Sequence, residues 1–126
     1  MMAQPTRVLI ADDSARARDG LRALLTMWPA IEVVGEAANG QDAVRLVAEC
    51  HPDVVLMDLH MPVLNGIQAT QLIKQQWPAV IVVVLTMYAA EQSAALAAGA
   101  DAFLLKGGTP QQLLLALGVG SASHAP

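Results

Sequence analysis

Polar side chains follow four short apolar runs of the sequence, each at the point where the run ends. They are Asp12 and Asp13, Asp58, Thr86 and Lys106. Short apolar runs bounded by turn residues are typical of strands buried inside a parallel sheet. Because the carboxyl ends of parallel strands lie along one edge, these groups are candidates for a single pocket, although they are far apart in the sequence.

Grouped in this way, the side chains would suit the chemistry of phosphoryl transfer. Carboxylates about 5 Å apart repel by roughly 3 kcal/mol per pair at an effective dielectric constant of 20. A hard divalent cation such as Mg²⁺ offsets that repulsion, and Lys106 adds a positive charge that can reach an anion. A metal, a lysine and a hydroxyl supply charge neutralisation and positioning. An aspartate can then attack phosphorus and form an acyl phosphate.

Each of these groups also has a simpler interpretation when it is taken alone. Asp12 and Asp13 could cap the first helix, and Asp58 could be a strand-end carboxylate that faces water. The Thr86 hydroxyl could bond to backbone, and Lys106 could be a solvated lysine before a glycine turn. Their coincidence at one edge of a sheet is what favours a shared site.

The elements that would position these groups alternate along the chain between strand and helix. The predicted strands are residues 7–11, 31–37, 54–57, 80–85 and 102–105, and the predicted helices are approximately residues 15–27, 40–49, 66–76, 89–98 and 110–117. Thr109 and Gln112 form a capping box around a proline at the first position of the last helix. Five strand–helix units predict an α/β fold with a parallel sheet and right-handed crossovers.

Composition limits the classes of protein that the chain can represent. Its 126 residues suit one domain, and 55% of them are apolar, which argues against disorder. The longest apolar run, residues 79–85, is far shorter than the roughly 20 residues of a membrane span. A net charge of −4 without a basic patch argues against direct nucleic-acid binding. The single cysteine and the absence of a signal-like start predict a cytoplasmic location.

The strand-end residues and the segments around them resemble a known family, the receiver domain of bacterial two-component response regulators. The resemblance rests on the strand-end residues above, on the segment MDLHMPVLNG around Asp58, and on VVLTMYAAE and AGADAFLLKG, which are similar to the NarL/FixJ type. It implies a flavodoxin-like (βα)5 fold, a doubly wound parallel sheet with strand order 2-1-3-4-5. It also implies a receiver domain over residues 1–118 and a frayed tail over residues 119–126, which could begin a linker to an effector domain.

The resemblance assigns roles to individual residues around a Mg²⁺ ion. Asp58 would be the phosphoacceptor and a metal ligand. Asp13 would bind the metal directly, Asp12 largely through water, and His60 through its backbone carbonyl while its imidazole stays a surface side chain. Lys106 would pair with a phosphoryl oxygen.

Other residues would carry the response to phosphorylation. By resemblance, Thr86 would bond another phosphoryl oxygen, and Phe103 would be the switch aromatic that turns inward when the threonine moves. His60 and Tyr88 occupy positions that resemble those tuning the lifetime of the acyl phosphate. Met87 is larger than the residue usual at its position and could narrow access to the acceptor.

The function implied is a signalling switch rather than an enzyme with a separate substrate. The domain would take a phosphoryl group from a sensor histidine kinase and catalyse its own phosphorylation and dephosphorylation. The face formed by helix 4, strand 5 and helix 5 would then control an output, with transcription through a DNA-binding domain absent from this chain as the expected one. The same helices would make a homodimer or an effector contact. No helix-turn-helix follows Gly118, so the chain would be an excised domain or a stand-alone receiver.

Three alternatives remain at this stage. A phosphatase of the haloacid-dehalogenase type needs a second acid two residues after the nucleophile, where this chain has His60. A dinucleotide-binding domain needs a glycine-rich loop after its first strand, where this chain has Asp12-Asp13-Ser14. A receiver that binds its partner without phosphorylation would not need the complete set of strand-end residues.

Overall fold

The computed structural model describes residues 4–118 and contains five strands and five helices. The strands are β1 (Thr6–Ala11), β2 (Ile31–Ala37), β3 (Val54–Met57), β4 (Ile81–Thr86) and β5 (Ala102–Leu105). The helices are α1 (Ala15–Leu25), α2 (Gly40–Cys50), α3 (Gly66–Gln76), α4 (Gln92–Ala97) and α5 (Pro110–Ala116), and a 3₁₀ turn over Ala89–Glu91 precedes α4. The predicted tail, residues 119–126, lies outside the described residues and stays a prediction.

The five strands pair in parallel in the order β2-β1-β3-β4-β5. This arrangement confirms the predicted flavodoxin-like sheet. The chain crosses from β1 to the β2 edge and then returns to β3 on the other side of β1, so the strand order reverses next to β1. In open α/β sheets, ligands bind at the carboxyl ends of the strands beside such a reversal.

Alternate residues of the strands supply two apolar layers, one on each face of the sheet. Leu9 and Val55 point into the layer covered by α2 and α3, whereas Ile10 and Leu56 point into the layer covered by α1 and α5. All four of these side chains are at most 1% exposed. Burial on both faces explains why the central strands are apolar without interruption, and it leaves the strand ends as the places where charge can be accommodated.

Polar caps begin four of the helices. The side chains of Ser14, Asn39, Asn65 and Thr109 each accept a hydrogen bond from a backbone amide three residues later. The predicted capping box at Thr109 is confirmed, and α3 has a second one between Asn65 and Gln68. Each cap satisfies amide groups that the first helical turn leaves unpaired.

Most predicted bounds agree with the structure within one residue, and three elements differ in a further respect. Helix α1 ends at Leu25 rather than at residue 27, because the Met27 and Trp28 amides bond the Leu24 and Leu25 carbonyls three residues back and tighten the turn. The uninterrupted apolar sequence of β4 predicts a fully buried strand, but Ile81 at its start is 39% exposed. The predicted helix over residues 89–98 is a 3₁₀ turn followed by a six-residue α-helix, because the Glu91 amide bonds back to Tyr88 and closes a tighter turn.

No helix within residues 4–118 is long and apolar enough to cross a membrane.

The last helix leaves part of its apolar surface uncovered, as its leucine-rich sequence predicts. Leu113 and Leu117 are buried against the sheet, whereas Leu115 is 57% exposed.

Candidate functional site

The hydrogen-bond ladder of the sheet extends one residue past three strands and fixes the residues that follow them. The bonds run from the Asp12 amide to the Ala37 carbonyl (3.0 Å), from the Asp58 amide to the Ala11 carbonyl (2.9 Å), and from the Lys106 amide to the Thr86 carbonyl (2.8 Å). The backbones of these residues are therefore held by the sheet rather than by mobile loops, which is the support that a precise site needs.

Three carboxylates converge at this edge. Asp12, Asp13 and Asp58 each have an oxygen within 4.8 Å of the others. Asp12 is 2% exposed and Asp58 7% exposed, whereas Asp13 is exposed to solvent. The Asp12 carboxylate also accepts a hydrogen bond from the Ser14 amide at 2.9 Å, which orients it at the start of α1. The structure thus brings together the acids that the sequence predicted for one pocket.

Lys106 reaches into the same cluster from β5. Its Nζ lies 2.9 Å from Asp12 Oδ2 and 3.6 Å from Asp58 Oδ1. Burial lowers the pKa of Lys106, but the hydrogen bond to Asp12 and the negative charges of Asp58 and Asp12 outweigh it, so the pKa lies above its usual value. The lysine is therefore a fixed positive charge at neutral pH.

The ionised form of Asp58 is disfavoured by its surroundings. Burial raises its pKa, and the charges of Asp12 and Asp13 raise it further, while Lys106 and a backbone hydrogen bond from His60 lower it. The net direction is upward. A carboxylate held in this way gains from any added positive charge, which is the electrostatic condition for binding a cation.

Thr86 is completely buried, and its hydroxyl is hydrogen-bonded within the segment that follows β4. It donates to Glu91 Oε1 at 2.7 Å and accepts from the Tyr88 amide at 3.4 Å. The other oxygen of Glu91, Oε2, lies 2.7 Å from His60 Nε2. A single carboxylate therefore joins a residue of the β3–α3 loop to the end of β4.

The remaining predicted residues lie around this network. The His60 side chain lies at the surface, as predicted, with 59% of it exposed, and its imidazole packs edge-on against the Tyr88 ring with ring centroids 5.5 Å apart. Met87 and Tyr88 are 67% and 58% exposed. Phe103 is half-buried and packs against the apolar layer under α2 and α3.

The loop between β3 and α3 folds tightly back under the site. Val63 has a φ of 69°, and the Leu64 amide donates to the Pro62 carbonyl at 2.8 Å across it. This left-handed conformation is strained for a β-branched residue. The Gly66 amide then bonds the Leu59 carbonyl at 3.0 Å, so the start of α3 lies directly against the backbone of the residues around Asp58.

Arg18 supports the Asp12 backbone from α1. It donates to the Asp12 carbonyl at 2.7 Å and to Glu36 Oε1 at 3.2 Å, and Arg22 bonds the other oxygen of Glu36. The hydrogen bond from Arg22 is the main cause that lowers the pKa of Glu36, and Arg18 adds to it. The two arginines thus tie α1 to β2 beside the acidic cluster.

Replacing Glu36 with glutamine should lower the free energy of unfolding by about 1 kcal/mol at pH 7, since partly exposed ion pairs are worth little more. Because the folded-state pKa of Glu36 is lowered, this contribution is complete above the pKa of an unfolded carboxyl and is lost as pH falls through the folded-state pKa. Urea unfolding of the wild type and E36Q should therefore differ at pH 7 and converge in acid. E32Q, on the same strand but exposed, should match the wild type throughout.

Three residues that matter to this geometry were not predicted from the sequence. Glu91 ends the segment VVLTMYAAE, which carries part of the family resemblance, but the resemblance assigns it no role, although it stands five residues after Thr86. Arg18 gave no signal beyond its charge. Gly66 was assigned only to the opening of a helix, whereas its lack of a side chain is what lets α3 approach the site.

A doubly wound parallel sheet with this acidic cluster, threonine and lysine at its carboxyl edge defines the class of phosphorylation-regulated signalling domains. Residues 8–118 match the family model of the response regulator receiver domain, and the chain belongs to that family. The prediction of a receiver domain of a two-component response regulator is thereby confirmed.

Individual relatives agree with this assignment. The chain is 46% identical over 110 residues to the uncharacterised transcriptional regulatory protein YhcZ of Bacillus subtilis, covering 86% of this chain and 51% of that protein. It is 30% identical to the receiver domain of a Mycobacterium tuberculosis NarL protein, with a TM-score of 0.87 and 97% and 99% of the two chains covered. It is also 30% identical to the isolated receiver domain of RcsB from Salmonella enterica serovar Typhimurium, which was solved with the phosphomimetic BeF₃⁻. The TM-score of that comparison is 0.83, and it covers 94% of this chain and 90% of the RcsB chain. The chain spans about half the length of curated relatives such as YhcZ.

Proposed function

We infer that Asp58 is the phosphoacceptor of this receiver domain, that Mg²⁺ is its cofactor, and that a sensor histidine kinase is its phosphoryl donor. The observation that supports this most strongly is the convergence of three carboxylates and one ammonium group at the carboxyl edge of the sheet. Among these groups, Asp58 follows the central strand β3, lies 3.6 Å from Lys106 Nζ and shares the cluster with both acids of the pair.

The donor set suits Mg²⁺. Its atoms are hard oxygens, which this ion prefers, and they carry more negative charge than Lys106 alone can balance. Asp12, Asp13, Asp58 and the backbone carbonyl of His60 would hold the ion. When bound, it would neutralise charge on the phosphoryl group and on the acceptor.

The chain's own residues would carry out the transfer. A carboxylate oxygen of Asp58 attacks phosphorus, the bond from phosphorus to the donor's imidazole nitrogen breaks, and the electron pair leaves with that nitrogen. Lys106 pairs with an oxygen of the transferred group, as its fixed charge and its position between two carboxylates allow. Attack by water on the same phosphorus would break its bond to the Asp58 oxygen, release inorganic phosphate and return the Asp58 carboxylate to its starting state. These are self-directed reactions of a signalling domain rather than turnover of a separate substrate.

The response would involve Thr86 and Phe103. The hydroxyl would turn from Glu91 to a phosphoryl oxygen, and the half-buried Phe103 ring would move inward with it. His60, Met87 and Tyr88 surround the entrance and would tune the lifetime of the acyl phosphate. The effect of phosphorylation would then be a shift between two states that already exist.

The surface that changes on phosphorylation and contacts the partner would be the edge formed by α4, β5 and α5. Leu96, Leu105 and Leu115, one from each element, are between 44% and 57% exposed. Such a surface suits a second copy of the domain or an effector domain. A kinase partner, a cytoplasmic location and a transcriptional output are parts of the same proposal, and none of them requires this chain to touch DNA.

Incubation with acetyl phosphate or phosphoramidate should add a single phosphoryl group to the chain, visible by intact-mass spectrometry. Addition should require Mg²⁺ and should stop in excess EDTA, because the crowded carboxylates otherwise repel an incoming anion. Ca²⁺ serves as the control ion, since it prefers larger and more irregular coordination. Efficient labelling in EDTA would contradict the metal assignment, and no labelling with any donor would favour a receiver that binds its partner unphosphorylated.

A further inference from the structure

The carboxylate of Glu91 contacts two residues of the switch region at once. One oxygen accepts the Thr86 hydroxyl proton at 2.7 Å, and the other lies 2.7 Å from His60 Nε2. Both contacts are as short as charge-assisted hydrogen bonds, and the Glu91 side chain is only 26% exposed. In the proposed switch, Glu91 serves only as the partner that the Thr86 hydroxyl leaves.

The Thr86 hydroxyl can donate only one hydrogen bond, and Glu91 Oε1 accepts it. The only other partner of this oxygen among residues 4–118 is the Tyr88 amide, which donates to it and so cannot take the proton. A phosphoryl oxygen on Asp58 would therefore have to compete with an existing carboxylate acceptor for the same proton.

We propose that Glu91 is a positioning residue that latches the Thr86 hydroxyl in the unphosphorylated state and opposes the switch. The proposal rests on the function proposed above, because it needs a phosphoryl group on Asp58 as the competitor. The short 3₁₀ turn over Ala89–Glu91 is the element that carries the latch, so its release would free the segment leading into α4.

The latch has a measurable consequence for ligand affinity. A ligand that binds only the switched state loses affinity in proportion to the rarity of that state. Removing a hydrogen bond to a charged acceptor should make the inward position of Thr86 more accessible. We expect E91A to bind beryllofluoride in the presence of Mg²⁺ about tenfold more tightly than the wild type, and E91Q to lie between the two.

The test is a double-mutant cycle between Glu91 and Thr86, measured by NMR titration with beryllofluoride and Mg²⁺. In a Thr86→Val background the hydroxyl is gone, so E91A should no longer change the affinity. E32Q, which removes an exposed charge on β2, should bind like the wild type. Without any ligand or metal, the side-chain couplings of Thr86 should show a larger inward population in E91A than in the wild type.

Two outcomes would overturn the latch. An E91A effect that persists in the Thr86→Val background would mean that Glu91 acts through its charge or through His60. Unchanged affinity in both E91A and E91Q, with wild-type unfolding curves, would mean that the hydroxyl is not restrained. Failure of the wild type itself to bind beryllofluoride or to accept phosphoryl from acetyl phosphate would instead refute the proposed function, which the same titration distinguishes.

Discussion

Replacing Asp58 with asparagine should abolish phosphoryl incorporation from acetyl phosphate and at the same time make the protein more stable. The first effect follows because an amide is a very poor nucleophile toward phosphorus. The second follows because burial and the charges of Asp12 and Asp13 raise the pKa of Asp58, so its ionised form is less favourable in the folded chain than in the unfolded one. The gain in free energy of unfolding should be about 1 kcal/mol at pH 7 in EDTA.

Both effects can be measured on the same preparations. Intact-mass spectrometry reports incorporation, and urea unfolding in EDTA reports stability. The matched control is D19N, because Asp19 is an exposed aspartate of α1 that lies outside the acidic cluster. D19N should be labelled like the wild type and should unfold like it. Label retained by D58N would move the acceptor to another residue.

Adding Mg²⁺ should reduce the stability advantage of D58N over the wild type. The wild type gains free energy from a bound ion in proportion to its affinity, whereas D58N has lost one of the ligands. We therefore expect the stability advantage of D58N to shrink or disappear as Mg²⁺ is titrated. An advantage that is independent of Mg²⁺ would show that the carboxylates do not share a cation.

The sequence predicted the fold well because the signals that define it are local. Apolar runs mark the strands, and the Asn65 and Thr109 caps mark the beginnings of α3 and α5 within one residue. The order of the strands came from the family resemblance and not from periodicity. Helix ends were less predictable, because the last turn of α1 tightens where the Met27 and Trp28 amides bond carbonyls three residues back.

Part of the candidate site was predictable from the sequence for the same reason, and part was not. Residues at strand ends were predictable because parallel strands bring their carboxyl ends together, so Asp12, Asp58 and Lys106 could be grouped before any contact was known. Glu91 could not be grouped with them, since its contacts depend on a 3₁₀ turn that breaks the expected helix. Arg18 acts on a backbone carbonyl, a partner that no side-chain pattern reveals.

Gly66 shows how closely the site depends on packing that carries no chemistry of its own. A Cβ built on this residue would lie 2.1 Å from the Asp58 carbonyl oxygen and 2.7 Å from the Leu59 Cα. These are backbone atoms, which cannot rotate away as a side chain can. The first turn of α3 would therefore have to move off the loop that follows Asp58, or that loop would have to shift with it.

G66A should accordingly lose about 3 kcal/mol of free energy of unfolding, at the upper end of the usual cost of overpacking. The matched control is G20A, within α1, where a new Cβ meets nothing within 4 Å. The free energy of unfolding of G20A should be about 1 kcal/mol higher than that of the wild type, because alanine favours the helix interior. Urea unfolding of both variants measures the contrast, and a small effect of G66A would mean that α3 can move away from the acceptor at little cost.

If G66A folds, slower labelling by acetyl phosphate would show that the position of Asp58 depends on this contact, since misplacement of a reacting group by about 1 Å can cost two orders of magnitude in rate.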